Sequence, residues 1–146
     1  MKIETDVMSV KTQSTLMRMQ KYGIAQQPEG TLLLGHVPYV EGIRAWFHVL
    51  FAPLQDDKLK LLERRMGMPV PDVYQKFLCK HNGLNLFLAS LSLYGFRKNF
   101  DRKTNLILPF DLITFNQLLR PQDAVNTQFF IGGYNWDKSL LYMHHD

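Results

Sequence analysis

The chain has 146 residues, enough for one ordinary domain that buries roughly 70% of the surface its unfolded form would expose. Hydrophobic residues make up 46% and charged residues 21%, a balance that excludes disordered, collagen-like and disulfide-scaffold classes. A single cysteine, Cys79, leaves no internal disulfide and no cysteine-rich zinc site, and a net charge of +4 favours acidic partners by long-range steering without naming one.

Residues 1–30 mix charges with Gly23, Pro28 and Gly30 over a weak helical pattern at Leu16, Met17 and Met19, and are expected to form a loosely attached arm. Residues 31–146 are expected to form one α+β domain. Met1–Lys11 carries Glu4 and Asp6 and no apolar block suited to a secretory signal. The most apolar stretch, Ala45–Ala52, contains His48 and falls far short of the 18 or so residues a membrane span requires. These readings point to a cytoplasmic protein in a reducing compartment.

Thr31–Leu34 is a short β-capable run closed by Gly35, whereas Glu41–Phe51 places Ile43, Trp46, Phe47, Leu50 and Phe51 at helical spacing and predicts a helix. From Asp56 the punctuation sharpens. Asp56 or Asp57 can cap a helix over 56–66 whose apolar face is Leu59, Leu62 and Met66, with Gly67 as its stop. A second helix over 71–81 starts at Pro71, where the missing N–H costs nothing, and buries Val73, Tyr74, Phe77 and Leu78. Lys80 and His81 suit its negative end, and Asn82 and Gly83 supply left-handed stop residues.

After Gly83 the rhythm shortens to strand-like runs at Leu91–Phe96 and Leu106–Leu108. Asp111–Leu119 fits a helix better than a strand. Phe129–Tyr134 and Leu140–Met143 flank a five-residue turn, Asn135–Ser139, and read as an antiparallel hairpin. The expected class is therefore α+β, a mainly antiparallel sheet with the helices packed on one side through Leu59, Leu62, Tyr74, Phe77 and Leu78.

Taken in order, Leu62-Glu63, Met66-Gly67, Val70-Pro71, Tyr74, Phe77-Leu78 and Asn82-Gly83 resemble the SUKH superfamily, which includes fungal cell-wall synthesis regulators and bacterial toxin-immunity proteins. Phe130-Ile131-Gly132-Gly133-Tyr134, Asp137 and Leu140-Leu141-Tyr142 resemble its central hairpin, so the likeness spans roughly residues 56–146. It implies a binding module without catalytic residues or cofactor: an immunity protein that occludes a toxin domain or, alternatively, a regulatory or scaffolding adaptor. Glu63, Gly67, Pro71, Tyr74, Asn82 and Gly83 also have local explanations in capping, turning or packing. Glu63 stands apart, because it could accept hydrogen bonds from a neighbouring loop.

Other chemistry is thin. Cys79 falls on the polar side of its helix near Lys76, but no histidine shares that face, so an incidental thiol is the reading. His36, His48, His81, His144 and His145 never adopt the i, i+4 spacing that holds zinc. Gly132-Gly133 suits a bulge or close packing. Arg97, Lys98, Arg102 and Lys103 crowd one loop with Phe96 and Phe100, a pattern read first as a solvated loop joining two strands, next as a site for an acidic protein surface and last as one for nucleic acid. The expected partner surface is Tyr94, Arg97, Lys98, Phe100 and Trp136, since aromatic anchors beside arginine match interface hot spots.

Overall fold

The computed structural model describes residues 7–41, 45–97, 100 and 107–145. The chain runs α1 (Val10–Met17), a 3₁₀ turn (Arg18–Tyr22), β1 (Ile24–Gln26), β2 (Leu32–His36), β3 (Trp46–Leu50), α2 (Asp56–Met66) and α3 (Asp72–Leu78). It continues through β4 (Leu84–Leu86), β5 (Leu91–Leu93), α4 (Leu112–Asn116), β6 (Gln128–Tyr134) and β7 (Leu140–His144). Among the described residues the strands form one seven-stranded sheet in the order of the sequence, each pair antiparallel, so the class is α+β.

The region expected to be a loose arm is docked instead. Ser9 caps α1 by accepting the Thr12 N–H (3.2 Å), Met8 and Leu16 are buried in the main core, and β1 pairs with β2 from Ile24↔Leu34 to Gln26↔Leu32. The helix expected over 41–51 is also a strand where it is described: β3 pairs with β2 and β4. Both of its faces are covered, Leu50 entering the main cluster and Val49 and Phe51 a second one with Leu33. A central strand buried on both sides reads as a continuous apolar run, which imitates helical spacing.

The two central helices stand where expected, but neither Asp56 nor Asp57 is the cap of α2: Gln55 holds that position without a side-chain bond, and the two carboxylates lie in the first turn. Gly67 closes α2 at φ 70°, its N–H bonded to the Glu63 carbonyl (2.9 Å). Pro71 sits one step outside α3 as its cap, accepting the Tyr74 and Gln75 N–H groups on its carbonyl (2.8 and 2.9 Å). The helix proper ends at Leu78, with one further turn closed by His81 N–H on the Phe77 carbonyl (2.8 Å). Leu59, Leu62, Tyr74, Phe77 and Leu78 all enter the main cluster with Leu34, Leu84, Leu93 and Ile131.

Two strand expectations are revised. β5 stops at Leu93 and not Phe96, because Gly95 leaves the ladder to form a parallel bridge with Asp111, donating to the Phe110 carbonyl (2.9 Å). Leu106 lies outside the described residues, and Ile107 and Leu108 form no strand; Ile107 packs on the second cluster instead. The expected hairpin is present as β6 and β7, with a bulge between Phe130 and Gly132. Both glycines there are required by space, since a Cβ on Gly132 would run into the Ser92 carbonyl and one on Gly133 would lie 2.8 Å from the Tyr94 hydroxyl.

The Tyr74 hydroxyl is fully buried and lies 2.5 Å from the Tyr94 carbonyl and 3.0 Å from the Ile131 carbonyl. Tyr74→Phe should cost about 1–2 kcal/mol, because the buried Tyr94 carbonyl loses its donor while the Ile131 carbonyl keeps the Tyr94 N–H (2.7 Å). Phe77→Ala should cost about 3–5 kcal/mol as a buried aromatic is emptied. Urea denaturation checks both, and equal midpoints for Tyr74→Phe and wild type would show that the Tyr94 carbonyl is satisfied without it.

Candidate functional site

The family-like residues are occupied inside the scaffold. Glu63 Oε1 accepts from the Val70 N–H (3.0 Å) and Gln75 Nε2 (3.1 Å), which pins the loop between α2 and α3. Asn82 is not left-handed; only Gly83 is, at φ 95°. Its amide instead clamps the end of β5, donating to the Phe96 carbonyl (2.9 Å) and accepting the Phe96 N–H (2.6 Å). Gly67 and Pro71 shape the ends of α2 and α3, and Tyr74 bridges α3 to the sheet. Cys79 is exposed, and among the described residues no group of three or more His, Cys, Asp or Glu side chains could hold a metal ion.

The expected partner surface is only partly assembled. Tyr94 is a correction: it is 1% exposed, its ring stacked on Phe115 with centroids 4.0 Å apart, and burial pushes its hydroxyl pKa well above the ordinary tyrosine value. Arg97 is half-buried, with its N–H on Asp111 Oδ1 (3.3 Å) and its guanidinium 4.8 Å from the centre of the exposed Phe100 ring. Lys98 lies outside the described residues. Trp136 is 74% exposed at the tip of the β6–β7 turn. It does not sit beside the Arg97 backbone: the register Leu91↔Tyr134 places the tip at the start of β5, while Arg97 follows its end.

What sits beside Trp136 is a turn the sequence did not advertise. Phe87, Leu88 and Ala89 are successive non-glycine residues in the left-handed region, at φ 53°, 57° and 62°. Each such residue costs roughly 1–2 kcal/mol, so the conformation needs outside support. The Leu88 N–H reaches the Phe47 carbonyl (2.9 Å), Ser90 N–H the Phe87 carbonyl (3.1 Å), and His48 Nδ1 accepts the Phe87 N–H (3.3 Å). From the other side, Asn135 donates its side chain to the Ala89 carbonyl and its N–H to the Ser90 carbonyl (2.8 Å). The turn thereby holds Phe87 and Leu88 about half exposed, at 48% and 50%, next to the turn that carries Trp136. With no Gly, Asn or Asp among the three, no turn signal was available.

A groove of about 620 Å³ runs from this turn over the face of the sheet opposite the main core. Val49 and Asn85, paired across β3 and β4, line it together with Trp46, Leu88, Phe110 and Arg97. Beneath it Ser92 Oγ donates to Asn85 Oδ1 (3.0 Å) and accepts from Asn135 Nδ2 (3.0 Å), so the buried polar row of the sheet is tied to the Trp136 turn. The arrangement is an apolar recess with one guanidinium, bordered by aromatic and aliphatic side chains held in solvent, a composition suited to recognition.

No protein-family model, no curated protein and no solved structure matches this chain. The reading of the site rests on its residues.

His48 couples the turn to pH. Burial lowers its pKa from the ordinary value, so the fold favours neutral imidazole, the form that can accept the Phe87 N–H. The unfolded chain then binds more protons, and stability present above about pH 6.5 is lost as pH falls toward the lower folded pKa. His81, also lowered chiefly by burial, acts in the same direction. His48→Asn keeps an acceptor near the Nδ1 position without titrating. Its thermal midpoint should fall less than that of wild type between about pH 7.5 and pH 5.5, and parallel falls would remove His48 from the pH response.

Proposed function

We propose that this chain is a non-catalytic protein-binding module of SUKH type, acting as an immunity protein that occludes a toxin domain. One contrast carries the reading. The family-like Glu63, Tyr74 and Asn82 side chains are used to hold the scaffold, whereas the strained Phe87–Ala89 turn and Trp136 keep large apolar groups in solvent beside a groove. Strain of that kind persists when the surroundings enforce it, and it clusters at functional sites. Phe87, Leu88 and Trp136 supply the anchors, and Arg97 supplies a charge that complements an acidic partner. The partner, not this chain, performs chemistry, and blocking it requires only that the bound surface cover its site.

The direct experiment is co-expression with the product of the adjacent gene, followed by co-purification and calorimetric titration. Trp136→Ala should weaken binding by about 2 kcal/mol or more with an unchanged thermal midpoint, since a ring 74% exposed contributes little to the core. Phe87→Ala should weaken it too, and Arg97→Glu should mainly slow association. Wild-type affinity in both the Trp136 and Arg97 variants would move the interface elsewhere.

A further inference from the structure

The two edges of the sheet are built differently. β1 is three residues long, exposed at Ile24 and followed by Pro28 and Glu29. β7 is five residues long, and Leu140–His144 contains no Asp, Glu, Lys, Arg or Pro. Natural sheets blunt a free edge with brevity, charge or proline, and β7 has none of these. Among the described residues it pairs with β6 alone.

The direction of its backbone groups follows from the bonds at its ends. The Ser139 carbonyl accepts the Tyr134 N–H (2.9 Å), and the His145 N–H reaches the Thr127 carbonyl (2.7 Å), so both residues face β6. The register irregularity adds its extra residue to β6, leaving the alternation along β7 unbroken. With a side-to-side period of two, Leu141 and Met143 also bond inward, while Leu140, Tyr142 and His144 aim their N–H and C=O groups at the open edge.

We propose that β7 pairs antiparallel with β7 of a second copy of this chain, about a two-fold axis through Tyr142. In that register Tyr142 faces Tyr142, Leu140 faces His144, and the three outward pairs form about six backbone hydrogen bonds. Leu141 and Met143, each 3% exposed in the main core, then lie opposite one another, so the apolar strip continues from one copy to the next without meeting a charge. A second copy suits the edge because the row maps onto itself under the two-fold axis, and such an isologous contact closes at the dimer. A slip of one residue would turn Leu141 and Met143 against the opposite face, which selects this register.

The test uses the intact chain and its molar mass in solution, by light scattering and sedimentation up to about 100 µM, where a contact of micromolar strength is populated. Wild type should be a dimer. Tyr142→Lys and Tyr142→Glu should each be monomeric because like charges meet on the axis, and an equimolar mixture of the two should recover a dimer. Circular dichroism establishes that each variant is folded. Should either fail to fold, His144→Pro, which deletes an outward N–H and no backbone bond to β6, should weaken the dimer at least tenfold, and His144→Ala, which loses the same side-chain contact with the Thr127 hydroxyl (3.0 Å) but keeps the N–H, should not. A monomeric wild type, dimeric single variants, a monomeric mixture, or an unaltered dimer in His144→Pro would each overturn the proposal. Trp136→Ala should leave the dimer intact; loss of the dimer there would place the contact at the groove and overturn it as well.

Discussion

The Tyr74 hydroxyl is the interaction on which the rest of the sheet depends. Where β6 bulges at Ile131, the Tyr94 and Ile131 carbonyls converge, and the hydroxyl, carried inward on α3, lies within reach of both. Burial raises the Tyr74 pKa well above the ordinary tyrosine value, so the group remains a donor across any accessible pH. A buried carbonyl without a donor would cost about as much as the hydrogen bond it lost. The bulge and the helix are thus tolerable together and costly apart.

The same junction explains why small residues gather there. Gly132 and Gly133 pass too close to β5 and to the start of β7 for any side chain, and Gly95 passes against the Asn82 carbonyl. Asn82, at the end of α3, clamps Phe96 in both directions just as the chain leaves β5. Glu63 performs the corresponding task at the start of α3, joining α2 to the loop before it. The family-like pattern is, in physical terms, the set of polar contacts that fix α2 and α3 to β5 and β6.

On the opposite face the constraints are looser and the chemistry differs. That face carries a small apolar cluster and a buried polar row, Asn85 and Ser92, satisfied by Asn135 and not by a helix. Because Asn135 also supports the Phe87–Ala89 turn, the strained backbone, the polar row and the position of Trp136 form one linked unit. His48 completes that support from β3, which is why a single protonation is coupled to the site.

Local chemistry by itself determined the presence of α2 and α3, the stop at Gly67, the β6–β7 hairpin and the α+β class. Caps, stop glycines and turn residues act within a few positions of where they stand, so a sequence displays them directly. Glu63 also belongs here, since a carboxylate one turn before a stop glycine has a loop within reach. Only tertiary structure decided the rest. β3 was mistaken for a helix because both its faces are buried, and residues 7–30 were expected to hang loose although Met8 and Leu16 fill the core. Tyr94 left the surface because Phe115, on which its ring stacks, lies about twenty positions further along the chain. The left-handed turn at Phe87–Ala89 is stabilised by His48, Phe47 and Asn135, residues about forty positions away on either side. Partners so remote in the chain leave no periodicity to read, because they meet only when the sheet that joins them has formed.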